Sequence, residues 1–140
     1  MSLQRPFFIE NIYPRDLLNF LRRHLFAYPE DTNIIETFQT EVSDSIIAQS
    51  RLPLYYVNGK FVWNEKGTSI PWSSSGFEMP VVCYIPLDRQ MWQFWWKEAE
   101  EANSIQAPFG SAILYPGGIR KHRPAPSGCH SYIELGYDYV

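Results

Sequence analysis

The sequence carries three histidines, and one of them stands in a dense run of positive charge, Arg120-Lys121-His122-Arg123. An imidazole there is a candidate metal ligand or pocket acid–base group. In a turn beside three cations and without a matching carboxylate, the reading as a member of a solvated basic patch is favoured over metal binding. The cations Arg120, Lys121 and Arg123 suit recognition of an anion such as a carboxylate, phosphate or sulfated group. A charged loop that aids solubility has the same composition. Further along, His130, Tyr132 and Glu134 recur at every second residue, the spacing that gathers side chains on one face of a strand. That face either lines a barrel interior or lies on a half-exposed sheet edge. His24, beside Arg22 and Arg23, is expected on a helix surface. Trp72, Trp92, Trp95 and Trp96 either stack on a sugar or another flat ligand or build core or an oligomer interface, and the burial tendency of aromatics favours core.

Other chemistries find no support in the residues. No G-x-S-x-G elbow is present, and Cys129 and His130, as chain neighbours on a strand, point to opposite faces. Gly117-Gly118 lacks the spacing of a phosphate-binding glycine loop. Cys83 and Cys129 form no C-x-x-C pair, which argues against thiolate zinc and for buried reduced thiols. A net charge of −3 without a long basic run disfavours nucleic acid. No apolar run reaches the roughly 20 residues of a membrane helix, and Arg5, Pro6 and Glu10 interrupt any signal-like start. With 45% hydrophobic and 19% charged residues in 140, the expectation is one soluble, cytoplasmic domain spanning residues 1–140.

The elements that must position these groups read mainly as β. Phe7-Phe8-Ile9 suits a short strand. Leu17, Leu18, Leu21 and Leu25 recur at helical spacing, which predicts a helix from Pro14 to Phe26, with Pro29 beyond its end. Residues 33–50 fit helix or strand, and so does the region from Met91 to Ala102. Asn58-Gly59 between Leu54–Val57 and Lys60–Trp63 predicts a hairpin with a type I′ turn. Gly67 to Gly76 reads as a loop. Val81–Ile85 is a continuous apolar run, as in a strand buried on both faces. Ser111–Tyr115 is a strand, Pro116-Gly117-Gly118 and Ser127-Gly128 are turns, and His130–Tyr137 is the last strand, with Ile133 and Leu135 on one face. Helices followed by six or more short strands suit a sandwich or barrel with helices packed outside.

Three segments in order carry a resemblance. They are the lead-in FFIENIYPRDLLNFLRRHL, the central MPVVCYIPLD, and the stretch from Gly110 to Glu134, GSAILYPGGIRKHRPAPSGCHSYIE. Together they resemble the Fe(II)/2-oxoglutarate oxygenases, in particular the prolyl-hydroxylase-like branch. The resemblance implies a double-stranded β-helix, a cupin-like jelly roll, with one or two N-terminal helices packed outside. That family holds iron with an H-x-D/E motif and a distal His, and a basic residue on the last strand pairs with the 2-oxoglutarate carboxylate. By position, His122 matches the distal His, and His130 falls where the basic residue belongs. The sequence contains no H-x-D or H-x-E; Pro71-Trp72-Ser73-Ser74-Ser75-Gly76 stands in that place.

The resemblance therefore implies one of two proteins. The first is a degenerate relative that binds a small, anionic ligand near Arg120, Arg123, His130 and Tyr132. The second is a divergent hydroxylase using Fe(II) and 2-oxoglutarate, with His122 on the metal and a carboxylate drawn from Glu78 or Asp88. The reading from another class is a non-enzymatic β-sandwich, either an assembly subunit forming a homo-oligomer or a carbohydrate-binding module.

Overall fold

The computed structural model describes residues 2–10, 15–64, 70–74, 79–87, 92–98, 101–123 and 130–140, with the side chains of 64, 70–74, 92, 93, 98, 107, 120–123 and 130 left undescribed. Strand β1 (Phe7–Ile9) is followed by α1 (Arg15–Ala27), which buries the predicted stripe Leu18, Leu21 and Leu25. Pro14, its expected first residue, lies outside the described residues. The ambiguous stretch 33–50 is helix α2 (Thr32–Ser50). Its buried positions Ile35, Phe38, Val42 and Ile46 follow helical spacing. Asp31 caps its first turn by accepting from the Asn33 amide at 3.1 Å. Arg51, at φ 59°, ends it in the left-handed region while its amide returns to the Ile47 carbonyl at 3.0 Å.

The remaining elements are β2 (Leu54–Asn64), β3 (Ile70–Ser74), β4 (Val81–Pro86), β5 (Trp92–Glu98), β6 (Glu101–Ala107), β7 (Ala112–Pro116), β8 (Arg120–Arg123) and β9 (His130–Tyr139). They form a five-stranded sheet in the order β1-β7-β4-β9-β2 and a four-stranded sheet in the order β3-β8-β5-β6. The nested antiparallel pairs β2·β9, β3·β8, β4·β7 and β5·β6 are those of one long two-stranded ribbon. Rolling that ribbon brings β9 beside β4 and β5 beside β8, which completes the two sheets. This is the double-stranded β-helix, or jelly roll, expected from the sequence.

Two local expectations are corrected, and one open choice is decided. Asn58-Gly59 makes no hairpin: β2 runs straight through it, paired with β9 from Leu54↔Tyr139 to Asn64↔His130, with a register shift between Tyr56 and Asn58. The glycine serves close approach instead. A Cβ at Gly59 would stand 2.7 Å from Ile35 Cγ2 on α2 and 2.9 Å from Leu135 Cδ2 on β9, so tertiary packing overrides the local turn preference. The supposed loop from Gly67 to Gly76 contains β3, whose ladder partner β8 is distant in sequence and invisible to a local pattern. The open choice over Met91 to Ala102 falls to strand in the described residues: β5 and β6 pair from Trp92↔Ala107 to Glu98↔Glu101. The turn after β7 is as expected, with the Ile119 amide on the Pro116 carbonyl at 3.1 Å. Ser127-Gly128 lies outside the described residues.

Alternation along the strands of the larger sheet makes two cores. Val81, Cys83 and Ile85 of β4, Leu114 of β7, and Ile133, Leu135 and Tyr137 of β9 face the helices and pack on Leu18, Leu21, Ile35, Phe38 and Val42. Val82 and Tyr84, Ile113 and Tyr115, and Tyr132 face the other way, into the barrel, where Phe94 and Trp96 of β5 meet them. Burial on both faces explains the unbroken apolar run of β4.

Candidate functional site

Strand β9 lies between β2 and β4 in the larger sheet, so its residues meet neighbours on both sides. Tyr132 is 4% exposed and Glu134 only 2%. At Tyr132 and Glu134 the alternating face of β9 is thus barrel interior and not a half-exposed sheet edge, while the side chain of His130 lies outside the described residues. Around Tyr132 the rings close up: Tyr84 lies 4.9 Å away centroid to centroid, and Phe94 stands 4.8 Å from Tyr115. Trp96 joins the same cluster, as the core reading expects of it; the side chains of Trp72 and Trp92 lie outside the described residues, Trp95 is half-buried, and Trp63 on β2 is exposed.

Among the described residues one carboxylate, that of Glu134, stands in this aromatic interior. Tyr115 Oη donates to Glu134 Oε2, and Lys60 Nζ lies 3.8 Å from Glu134 Oε1. β7, β9 and β2 supply the three groups, and the register that places Lys60 opposite Glu134 follows the bulge in β2. Sequence reasoning noted Glu134 on the His130 face but missed Lys60 and Tyr115. The signal was parity: Lys60 follows a glycine that packs on the helix, and Tyr115 ends an apolar run in which alternate residues turn inward.

The basic run falls on β8, in the smaller sheet. β8 pairs with β3 through Ile70↔Arg123, Ser73↔Lys121 and Ser74↔Arg120. On its other side His122 stands opposite Trp95, and Lys121 opposite Trp96. Strand β3 reads Ile-Pro-Trp-Ser-Ser and contributes neither imidazole nor carboxylate to this pair of strands. A facial iron site needs neutral imidazole and anionic oxygen donors; β3 and β8 together offer one histidine among three permanent cations, a donor set that does not fit Fe(II). Among the described residues no group of His, Cys, Asp and Glu is placed to hold a metal. Glu78 and Asp88 lie outside the described residues, as does Cys129. The structure thus gathers Tyr132 and Glu134 in the barrel, and gives the backbone positions of Arg120, His122, Arg123 and His130.

The remaining candidates are structural. His24 Nε2 donates to Asp31 Oδ2 at 2.7 Å, joining the end of α1 to the cap of α2. That hydrogen bond holds the Asp31 carboxyl below its ordinary value. Cys83 is a free, fully buried thiol whose ionisation burial pushes far up, so it is no nucleophile.

The nested ribbon, helices on one face and an enclosed second core define the fold of the Fe(II)/2-oxoglutarate oxygenases. Solved structures bear this out. HygX from Streptomyces hygroscopicus with nickel and 2-oxoglutarate bound aligns with a TM-score of 0.71 at 10% identity, covering 99% of this chain and 83% of that one. A prolyl-4-hydroxylase from Pseudomonas putida gives 0.72 at 11% identity over 100% and 99% of the two chains. A viral collagen prolyl hydroxylase from Paramecium Bursaria Chlorella virus-1, in complex with 2-oxoglutarate, gives 0.72 at 8% identity over 98% and 97%. No protein-family model and no curated protein matches the sequence.

Proposed function

We propose that this chain is a degenerate member of the oxygenase fold that binds a small anionic ligand without iron. The observation that carries the reading is the pairing of β3, which has no metal-ligating residue, with β8, which carries Arg120, Lys121, His122 and Arg123. Permanent cations attract a carboxylate or phosphate and repel a divalent metal. Arg120 and Arg123 are the anion-binding residues of this reading, His122 belongs to the same run, and His130 and Tyr132 belong to the last strand. The acidic net charge of −3 supports a small molecule over nucleic acid as the partner.

Thermal melting with Mn(II) and 2-oxoglutarate, separately and together, tests it. A ligand at a hundred times its dissociation constant stabilises the native state by about 2.7 kcal/mol, a shift of several degrees in a domain of this size. The expected result is a shift with the organic anion alone, no addition from Mn(II), and loss of the shift in Arg120→Ala/Arg123→Ala. A shift that needs metal and 2-oxoglutarate together and disappears in His122→Ala would overturn the reading in favour of a divergent hydroxylase.

A further inference from the structure

Strand β2 ends the larger sheet, and among the described strands it pairs only with β9. A strand in that position can accept another along its outer edge. The side chains on β2 are apolar and open to water: Tyr55 is 48%, Val57 42% and Trp63 43% exposed. Phe26 at the end of α1, 39% exposed, stands edge-on to Phe61 and Trp63 with ring centroids 5.9 and 6.0 Å away. Half of the eight large hydrophobics exposed among the described residues thus lie on or against this one strand, a concentration that marks an interface rather than scattered surface. Edge strands are kept apart by charge, proline or a bulge. The bulge in β2 falls in its first half, between Tyr56 and Asn58, and its one charged residue, Lys60, stands 3.8 Å from Glu134 on the barrel side. From Asn58 to Asn64 the ladder with β9 is regular.

We propose that this edge joins a second copy of the chain, the two β2 strands pairing antiparallel about a two-fold axis at Phe61, so that two larger sheets become one. The segment's own sequence argues for a second copy as the partner. Pairing about Phe61 sets Gly59 opposite Trp63 of the second copy, Lys60 opposite its Val62 and Asn58 opposite its Asn64. Gly59, Phe61 and Trp63 share the helix side of the sheet: a Cβ at Gly59 would meet Ile35 of α2, and Phe26 of α1 packs on the other two. Each Trp63 therefore crosses a glycine of the other strand, with the two Phe61 rings between them, and an aromatic ring laid over a glycine stabilises a sheet at that point. No lysine faces a lysine, so the register holds no like-charge pair. The regular segment spans only about 23 Å of edge, so a reversible dimer in the micromolar range is expected. The dimer is independent of the anion-binding reading, since β2 carries none of its residues.

Sedimentation velocity of the full chain from about 1 to about 200 μM is the first test. The expected result is a monomer–dimer equilibrium that follows concentration. A monomer throughout, or an assembly larger than a dimer, would overturn the proposal, because two-fold edge pairing closes on itself. Trp63→Lys, at an exposed position, should weaken the dimer at least about tenfold and leave the monomer folded. A dimer that survives this substitution uses another surface, and that too would overturn the proposal. Cross-linking in a Cys129→Ser background reads the register. Facing residues of an antiparallel pair have Cα atoms about 4.5–5.5 Å apart, within disulfide reach. Phe61→Cys should therefore oxidise to a covalent dimer, and Phe7→Cys, exposed on β1 at the far end of the sheet, should not. Equal yields from the two, or none from Phe61→Cys, would overturn the pairing at Phe61. Should one of the β2 substitutions prevent folding, the other decides.

Discussion

Tyr137 shows how a single hydroxyl is used in this protein. Ser43 Oγ donates to Gln39 Oε1 at 2.8 Å, so Tyr137 Oη is the donor in the 2.8 Å contact between Tyr137 and Ser43. The bond ties β9 to α2 through the helix-facing core, and burial pushes the phenol's ionisation far up, which keeps the donor protonated. Tyr137→Phe leaves the ring in place and removes the bond. It should cost about 1 kcal/mol, read as a fall of a few degrees in melting temperature. Cys83 offers a check of the other kind. In a Cys129→Ser background at pH 8, a thiol reagent should label Cys83 only as fast as the domain unfolds; rapid labelling of the native protein would contradict its burial.

Among the elements, β2 is the one whose geometry departs most from its local sequence signals. Gly59→Ala should destabilise by about 1–3 kcal/mol through overpacking against Ile35 and Leu135. In a double-mutant cycle with Ile35→Ala, which removes the Cγ2 that the new methyl would strike, the combined loss should be smaller than the sum. A purely additive cycle would mean that Gly59 matters for its backbone freedom instead. The α1–α2 junction depends on Asp31, which caps α2 and accepts from His24. Its folded ionisation lies below the ordinary 3.8, so its contribution is complete above that value and fades as pH falls through the folded value. Asp31→Asn should therefore melt below the wild type at neutral pH, and the difference should close in acid below about pH 4.

For the molecule as a whole, the larger sheet is shared by both cores: Val82 and Tyr84 enter the barrel while Val81, Cys83 and Ile85 meet the helices. Neither core persists without that sheet, so unfolding should be one cooperative step. Near-ultraviolet circular dichroism, which reports the barrel rings, and far-ultraviolet circular dichroism, dominated by the helices, should give coincident melting curves. Phe94→Ala in the barrel and Leu21→Ala under the sheet should each cost about 2–5 kcal/mol and shift both curves together. Separate transitions would show that the two cores fold independently.

The sequence by itself determined what short-range patterning can carry. The leucine stripe specified α1, the unbroken apolar run specified the doubly buried β4, and the alternation at Ile133 and Leu135 put those two on one face of β9, which the structure turns to the helices. The order of those segments was enough for the jelly-roll resemblance, and β3's lack of a ligand type is a fact of composition. Tertiary structure decided the rest, because the deciding partners are far apart along the chain. Asn58-Gly59 has a turn's composition but lies in a strand, since α2 needs room there and β9 supplies the ladder. Strands β3 and β5 take their shape from β8, and the 33–50 ambiguity ended in a helix because α2 covers the larger sheet. Glu134 shows the difference most directly. Spacing put it on the face shared with His130 and Tyr132, but only the rolled ribbon brought Lys60 and Tyr115 to it and buried Glu134 and Tyr115 among aromatic rings.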